Sequence, residues 1–377
     1  MKRLFSLVAD YIRETDKIML LLVFAASSYG CLAVMSATAY TGSIGEFITQ
    51  LVAMLSGLVL AIIISNVNYK TFQKYWFLAA AVGLIPVILT FFIGFAPDGT
   101  DDKAWLLLPV GFSFQPAELM KICFIITFSA HLAKVHKNIN KFRYLIPILI
   151  HGGFPVVLIH IQGDDGTALV FGVMFICMLF AAGLKLRYFI VTGILGLIAA
   201  PIVYFFLLNE DQKARIFSIF NPETNLQGIG YQQWMGRIAL ANGGITGQGL
   251  FRGELTQSQG IPEGHNDFIF VSIGEELGML GCLAVIILLS AICLRCVRVA
   301  RSSEDEAGMY IAVGMFAMLF AQCLINLGMC LSILPVIGIT LPFFSAGGSS
   351  LLCLMCGVGI TVSVYKHRNS GIIYLHQ

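Results

Sequence analysis

Ile261-Pro-Glu-Gly-His-Asn-Asp-Phe-Ile-Phe270 decides how the rest of this chain is read. It closes a polar segment, 209–266, and opens a new apolar run, with Asp267 on the boundary. A carboxyl placed where water gives way to hydrocarbon loses hydration. That loss raises its pKa toward the range of a working base. It also places the acid to meet a substrate that lies half in a membrane. A polar segment held between oily runs points to helices crossing a bilayer.

Outward from that stretch the composition agrees. Hydrophobic residues make up 58% of the chain and charged residues 12%. Soluble domains average about 45–50% and about 25%. The expected fold is all-α: a polytopic integral membrane protein in one domain, 1–377. Ten spans are expected near 18–38, 47–65, 75–95, 115–134, 144–161, 166–184, 188–208, 267–294, 308–331 and 345–365. One large extracytoplasmic loop, 209–266, separates the seventh from the eighth. The eighth is long enough to protrude or tilt. The first run is too long for the roughly 7–15 apolar residues of a cleaved signal, so it is expected to stay as a span. The ten cysteines all fall inside or at the ends of apolar runs. Cys293/Cys296 and Cys353/Cys356 have Cys-x-x-Cys spacing, yet in apolar helices they read as small packing residues, and no structural disulfide is expected.

The basic residues set the orientation. Seventeen of the 23 lysines and arginines fall in the N-terminal tail, the even-numbered loops or the C-terminal tail. Clusters at Lys134, Lys137, Lys141 and Arg143, and at Arg295, Arg298 and Arg301, make those loops cytoplasmic by the positive-inside rule, and both termini with them. The opposite face carries Asp101-Asp102-Lys103, the Asp164-Asp165 turn and the long loop. The net charge of +2 carries no signal for nucleic acid, and no phosphate-binding or dinucleotide fingerprint is present. Chemistry on the outer face must use a substrate that arrives already activated.

Charges inside spans are costly and mark function. Glu118 and Lys121, in Gln115-Pro-Ala-Glu-Leu-Met-Lys121, share one face of the fourth span and can pair, either to fix packing or to line a cavity. Asp164, before Gly166-Thr167, has the form of a helix cap. Glu275 and Glu276 lie two turns into the eighth span, so at least one must face a polar interior. In the loop, Lys213 and Arg215 suit an anionic headgroup such as a pyrophosphate, or anionic membrane lipids. Asn242-Gly-Gly-Ile-Thr-Gly-Gln-Gly249 allows tight turns and close backbone approach. Leu334-Pro-Val-Ile-Gly-Ile-Thr-Leu-Pro342 is an outward loop leading to Ser345-Ala-Gly-Gly-Ser-Ser350.

In order and spacing these segments resemble the SEDS family of bacterial cell-wall polymerases, which serve shape, elongation, division and sporulation. The resemblance covers essentially the whole chain. It rests on Gln115-Pro-Ala-Glu118 with Lys121, on Asp164, Gly166 and Thr167, and above all on 261–270 followed by Gly274-Glu-Glu-Leu-Gly278. Asn326, Gly328, Pro335, Gly338, Leu341-Pro342 and Ser345-x-Gly-Gly-Ser-Ser350 complete it. Asn221-Pro-Glu223, Gly247-Gln-Gly-Leu-Phe-Arg-Gly253 and Thr256-Gln-Ser258 look like the elongation-type branch. Departures stand at Gly163, Ala104, Asn266 and Ala346, where the family often has Pro, Arg, Thr and Tyr.

The resemblance implies a peptidoglycan glycosyltransferase of the bacterial plasma membrane that polymerises lipid II into β-1,4-linked glycan. Asp267 is then the general base, and undecaprenyl pyrophosphate leaves. A divalent cation (Mg or Mn) or basic side chains, Arg215 first, would stabilise the leaving charge. Glu118, Lys121, Gln115 and Asp164 would shape the substrate cavity, and His265 would orient a substrate. The implied partner is a class B penicillin-binding protein, a transpeptidase. A lipid II flippase, a division- or sporulation-type polymerase and a silent scaffold are the alternatives at this point. Asp267 could also be only the N-cap of the eighth span.

Overall fold

A computed structural model describes residues 13–96, 103–107, 113–220 and 229–368. Lys2, Arg3, Asp101, Asp102, Asn221–Glu223 and Gly228 lie outside the described residues. Each expected span has its helix: α1 (Lys17–Ala37), α2 (Gly45–Asn66), α4 (Trp76–Ile93), α5 (Pro116–Val135), α6 (Phe142–Ile161), α7 (Asp165–Ala181), α8 (Leu186–Ile202), α12 (Ile269–Arg301), α13 (Glu306–Cys330) and α14 (Gly348–Lys366). Among the described residues nine helices are long and apolar enough to cross a membrane, and α7, at 17 residues, is shorter. A short α3 (Tyr69–Lys74) joins α2 to α4. The long loop contributes α9 (Glu210–Phe220), α10 (Ile229–Gly243) and the single turn α11 (Glu254–Gln257). The only strands among the described residues, β1 (Leu106–Leu107) and β2 (Ser113–Phe114), pair antiparallel just before α5.

The core gathers around α13, which packs on α5, α7, α12 and α14, while α14 lies along α2. Asp16 caps α1 by accepting from the Met19 N–H at 3.0 Å, and it also takes Arg295 Nε of α12 at 2.7 Å. That pair fixes the basic end of α1 against α12. The seventh span behaves differently. No residue of α8 is buried, and apolar side chains on every face suit a helix surrounded by hydrocarbon.

The eighth span runs 269–301 rather than 267–294, and it is broken at Gly278, whose φ of 66° and ψ of −164° are not helical. The glycine-rich 243–249 segment fills the break and is no free loop. Its Gln248 and Gly249 N–H groups donate to the carbonyls of Glu275 and Glu276 at 3.0 and 2.8 Å. Its Gly244 and Ile245 carbonyls accept from the Met279 and Leu280 N–H groups at 2.9 and 3.2 Å. The backbones touch so closely that a Cβ on Gly243 would lie 1.9 Å from the Gly274 carbonyl oxygen. Thus two carbonyls and two N–H groups beside the break find partners in the inserted segment, as burial requires.

Candidate functional site

Two clusters of polar side chains lie where α5, α7, α12 and α14 begin. The first forms where Pro116 starts α5 with a preset φ and no N–H to satisfy. Glu118 and Lys121, three apart, meet at 2.8 Å, and Lys121 is 1% exposed. Ser350 at the head of α14 donates to the other Glu118 oxygen at 3.2 Å. Gln115 Nε2 donates to Asp164 Oδ2 at 2.9 Å, while Asp164 Oδ1 accepts from the Thr167 N–H at 2.8 Å and caps α7. Burial raises the Asp164 carboxyl, and the Thr167 bond and the Lys121 charge oppose that rise. Four residues singled out in the sequence therefore form two pairs, Gln115–Asp164 and Glu118–Lys121, coupled through charge, with Asp164 holding its expected cap as well.

The second cluster surrounds Asp267. Its carbonyl accepts from Asn326 Nδ2 at 2.7 Å and from Cys330 Sγ at 3.5 Å. The same Asn326 amide donates to the Ile339 carbonyl at 2.6 Å. Ser345 Oγ donates to the Asn266 carbonyl at 2.8 Å, and the Ala346 N–H to the His265 carbonyl at 2.9 Å. The backbone carrying the acid is thus pinned by α13 and by the approach to α14. The carboxyl itself is left over. The N-cap of α12 is Phe268, with no side-chain cap bond, so Asp267 is not the cap. Among the described residues no donor from another residue reaches its side chain. It is 8% exposed. Burial first, and then the charge of Glu263, push its pKa from 3.8 up to about 7, while its own backbone N–H pulls the other way.

The 341–350 segment links the two clusters, since Ser345 and Ala346 hold the Asp267 loop and Ser350 reaches Glu118. Gln50 of α2 stabilises that link, donating to the Ser345 carbonyl at 2.9 Å and accepting from the Gly347 N–H at 3.2 Å. Arg215 is turned elsewhere: its Nη1 donates to the Val336 carbonyl at 3.1 Å. With Gln233, which donates to the Leu334 carbonyl at 2.9 Å, it ties α9 and α10 to the proline-bounded loop. His265 lines a cavity of about 180 Å³ together with Tyr40, Thr256, Gln259 and Glu263. Among the described residues no group of three or more His, Cys, Asp or Glu could hold a metal ion. Sequence reasoning gave no role to Gln50 or Ser350. A lone amide inside the apolar 47–65 run was the available signal for Gln50.

Among the described residues, ten span helices, a helical 209–266 segment and a desolvated carboxyl at the head of α12 define a polytopic membrane protein with polar clusters at one end. The profile of the cell cycle protein family that contains FtsW, RodA and SpoVE matches residues 16–370. The chain belongs to that family. It is 32% identical over 361 residues to a probable peptidoglycan glycosyltransferase FtsW of Geobacter sulfurreducens, covering 94% of this chain and 95% of that protein. It is 31% identical over 355 residues to the peptidoglycan glycosyltransferase MrdB of Escherichia coli strain K12, covering 94% of each. A solved chain described as "Structural coordination of polymerization and crosslinking by a peptidoglycan synthase complex" superposes with a TM-score of 0.81 at 25% identity, covering 94% of this chain and 98% of that one. The rod shape determining protein RodA of Thermus thermophilus shares the fold, with a TM-score of 0.70 at 24% identity over 94% of this chain and 97% of that one.

Proposed function

We propose that this protein is a peptidoglycan glycosyltransferase of the elongation type, polymerising lipid II at the outer face of the bacterial plasma membrane. The observation that carries the reading is Asp267, a buried carboxyl with no structural task, titrating at about 7 on a pinned backbone. A base with a pKa near the working pH combines the ionised form with useful proton affinity.

In this reading the 4-hydroxyl of a lipid-linked GlcNAc gives its proton to Asp267 as its oxygen attacks C1 of the donor MurNAc. The C1–O bond to undecaprenyl pyrophosphate breaks, and the new β-1,4 bond forms with inversion. A pyrophosphate leaves without protonation once its charge is neutralised, so one carboxyl suffices where glycoside hydrolysis needs two. The Glu118–Lys121 pair with Gln115 and Asp164 shapes the wall facing the donor, and His265 orients a sugar. Arg215 must turn from the Val336 carbonyl to meet the leaving group. A divalent cation, or Arg215 once turned, would neutralise the leaving pyrophosphate.

The basic loops support cytoplasmic termini. The whole chain acts as one domain, with 209–266 as its outer loop. No outward-facing Ser-x-x-Lys exists in this sequence for crosslinking. A class B penicillin-binding protein therefore supplies the transpeptidase, a pairing supported by the relative described as part of a complex for polymerization and crosslinking. The broken α12 has the form used by transporters, but the Glu275 and Glu276 carbonyls and the Met279 and Leu280 N–H groups at the break bond the 243–249 segment rather than a cargo. Proteoliposomes loaded with lipid II test the reading: glycan strands should form. Lipid translocation without any strand growth would mark a flippase instead.

A further inference from the structure

Glu275 and Glu276 are 0% and 3% exposed, yet no lysine, arginine or histidine pairs with them among the described residues. Burying two adjacent acids without a counter-charge is costly, and well-packed apolar side chains would usually be at least as stable. What they hold explains their presence. Glu275 Oε1 accepts from the Leu255 N–H at 2.9 Å, and Oε2 from the Thr256 N–H at 2.7 Å and Thr256 Oγ1 at 2.6 Å. Glu276 accepts from Gln257 Nε2 at 2.8 Å, from the Gly253 N–H at 3.4 Å and from Ser36 Oγ at the end of α1. Gln257 also donates to the Ser36 carbonyl at 3.0 Å.

The turn at 253–257 is therefore lashed to the outer half of α12. Ten residues further on, the Asn326 amide fixes the Asp267 carbonyl. Between those anchors the chain is strained: Gln259 and Glu263 adopt φ of 59° and 53°, a region unfavourable to L-residues. Strain of this kind persists only where the surroundings fix both ends. The strained span also forms one wall of the cavity of about 180 Å³, facing Tyr40 and Thr256.

We propose that Glu275 and Glu276 are positioning residues for glycosyl transfer, lashing the 253–257 turn so that the strained 259–266 span keeps Asp267 desolvated and aimed at the acceptor. This rests on Asp267 being the base. The groups facing Asp267 are Glu263 from its own loop and Cys330 from α13. Neither belongs to the lash, so loosening the turn acts through hydration and aim.

The test uses the purified full chain with lipid II, over a range of substrate concentrations and of pH. Thr256→Val deletes one bond to Glu275 at nearly unchanged side-chain volume. It should lower kcat about tenfold with KM little changed, and move the kcat midpoint to lower pH. Thr256→Ser should restore both. Glu275→Gln should act more strongly in the same direction, and Ser36→Ala reads the Glu276 side of the lash if Thr256→Val folds poorly. A Thr256→Val enzyme with wild-type kcat and midpoint overturns the proposal. So does one that only loses folded protein while its midpoint stays put. Polymer formation by Asp267→Asn at the wild-type rate would instead remove the base reading itself, whatever the Thr256 variants do.

Discussion

Removing the ionisable group at Asp267 should stabilise the protein in alkali and do so less in acid. A carboxyl shifted from 3.8 to about 7 costs about 4 kcal/mol more to ionise in the fold than in the unfolded chain, at about 1.36 kcal/mol per pH unit. Because the folded pKa is the higher one, the stability tied to the neutral form is complete below 3.8. It drains away as the pH rises, and is fully lost above about 7. Between pH 5 and pH 8 the wild type should therefore lose about 2.5 kcal/mol from this group alone. Asp267→Asn carries no such dependence. Its melting temperature in detergent should exceed that of the wild type by more at pH 8 than at pH 5, the difference being about 3 °C. A gap that is equal at both pH values, or larger at pH 5, would show that Asp267 is hydrated and refute the argument.

Three further outcomes are expected. Glu263→Gln removes the like charge beside Asp267, so the pH midpoint of polymerisation should fall below that of the wild type; an unchanged midpoint would mean the two acids do not feel each other. Lys121→Met leaves Glu118 buried and unpaired and should destabilise the protein by about 3–5 kcal/mol, whereas Lys121→Met with Glu118→Gln should recover much of that loss in thermal unfolding. Gly278→Ala puts a side chain on a left-handed residue and a Cβ 2.4 Å from the Gly247 nitrogen. It should expose 243–249 to hydrogen exchange and protease, and protection at the wild-type level would contradict the inserted-loop geometry.

The spans were legible because each is a run of about twenty apolar residues punctuated by basic loops. The Glu118–Lys121 pair and the Asp164 cap were legible because helix spacing and cap chemistry are local rules. The standing of α8 outside the bundle was not, since an apolar run reads the same whether lipid or protein surrounds it. The break at Gly278 was hidden for a different reason. The 243–249 segment bonds α12 through backbone groups, which every residue type carries. The bridge from Ser350 to Glu118 joins positions 232 residues apart, beyond any periodic signal. Asp267 showed itself only as an acid at a boundary; its release from capping depended on Phe268 taking the cap position.

In the proposed mechanism one acid, Asp267, takes the acceptor's proton. Polymerisation of lipid II by purified wild type and Asp267→Asn, matched for folded protein and measured from pH 5.5 to 9, addresses it directly. The wild-type rate should climb with pH and level off above about 7, and the Asn variant should fall by about 10²–10⁴-fold and lose that pH dependence. An Asn variant that builds strands near the wild-type rate, or a wild-type rate indifferent to pH across that range, would contradict it.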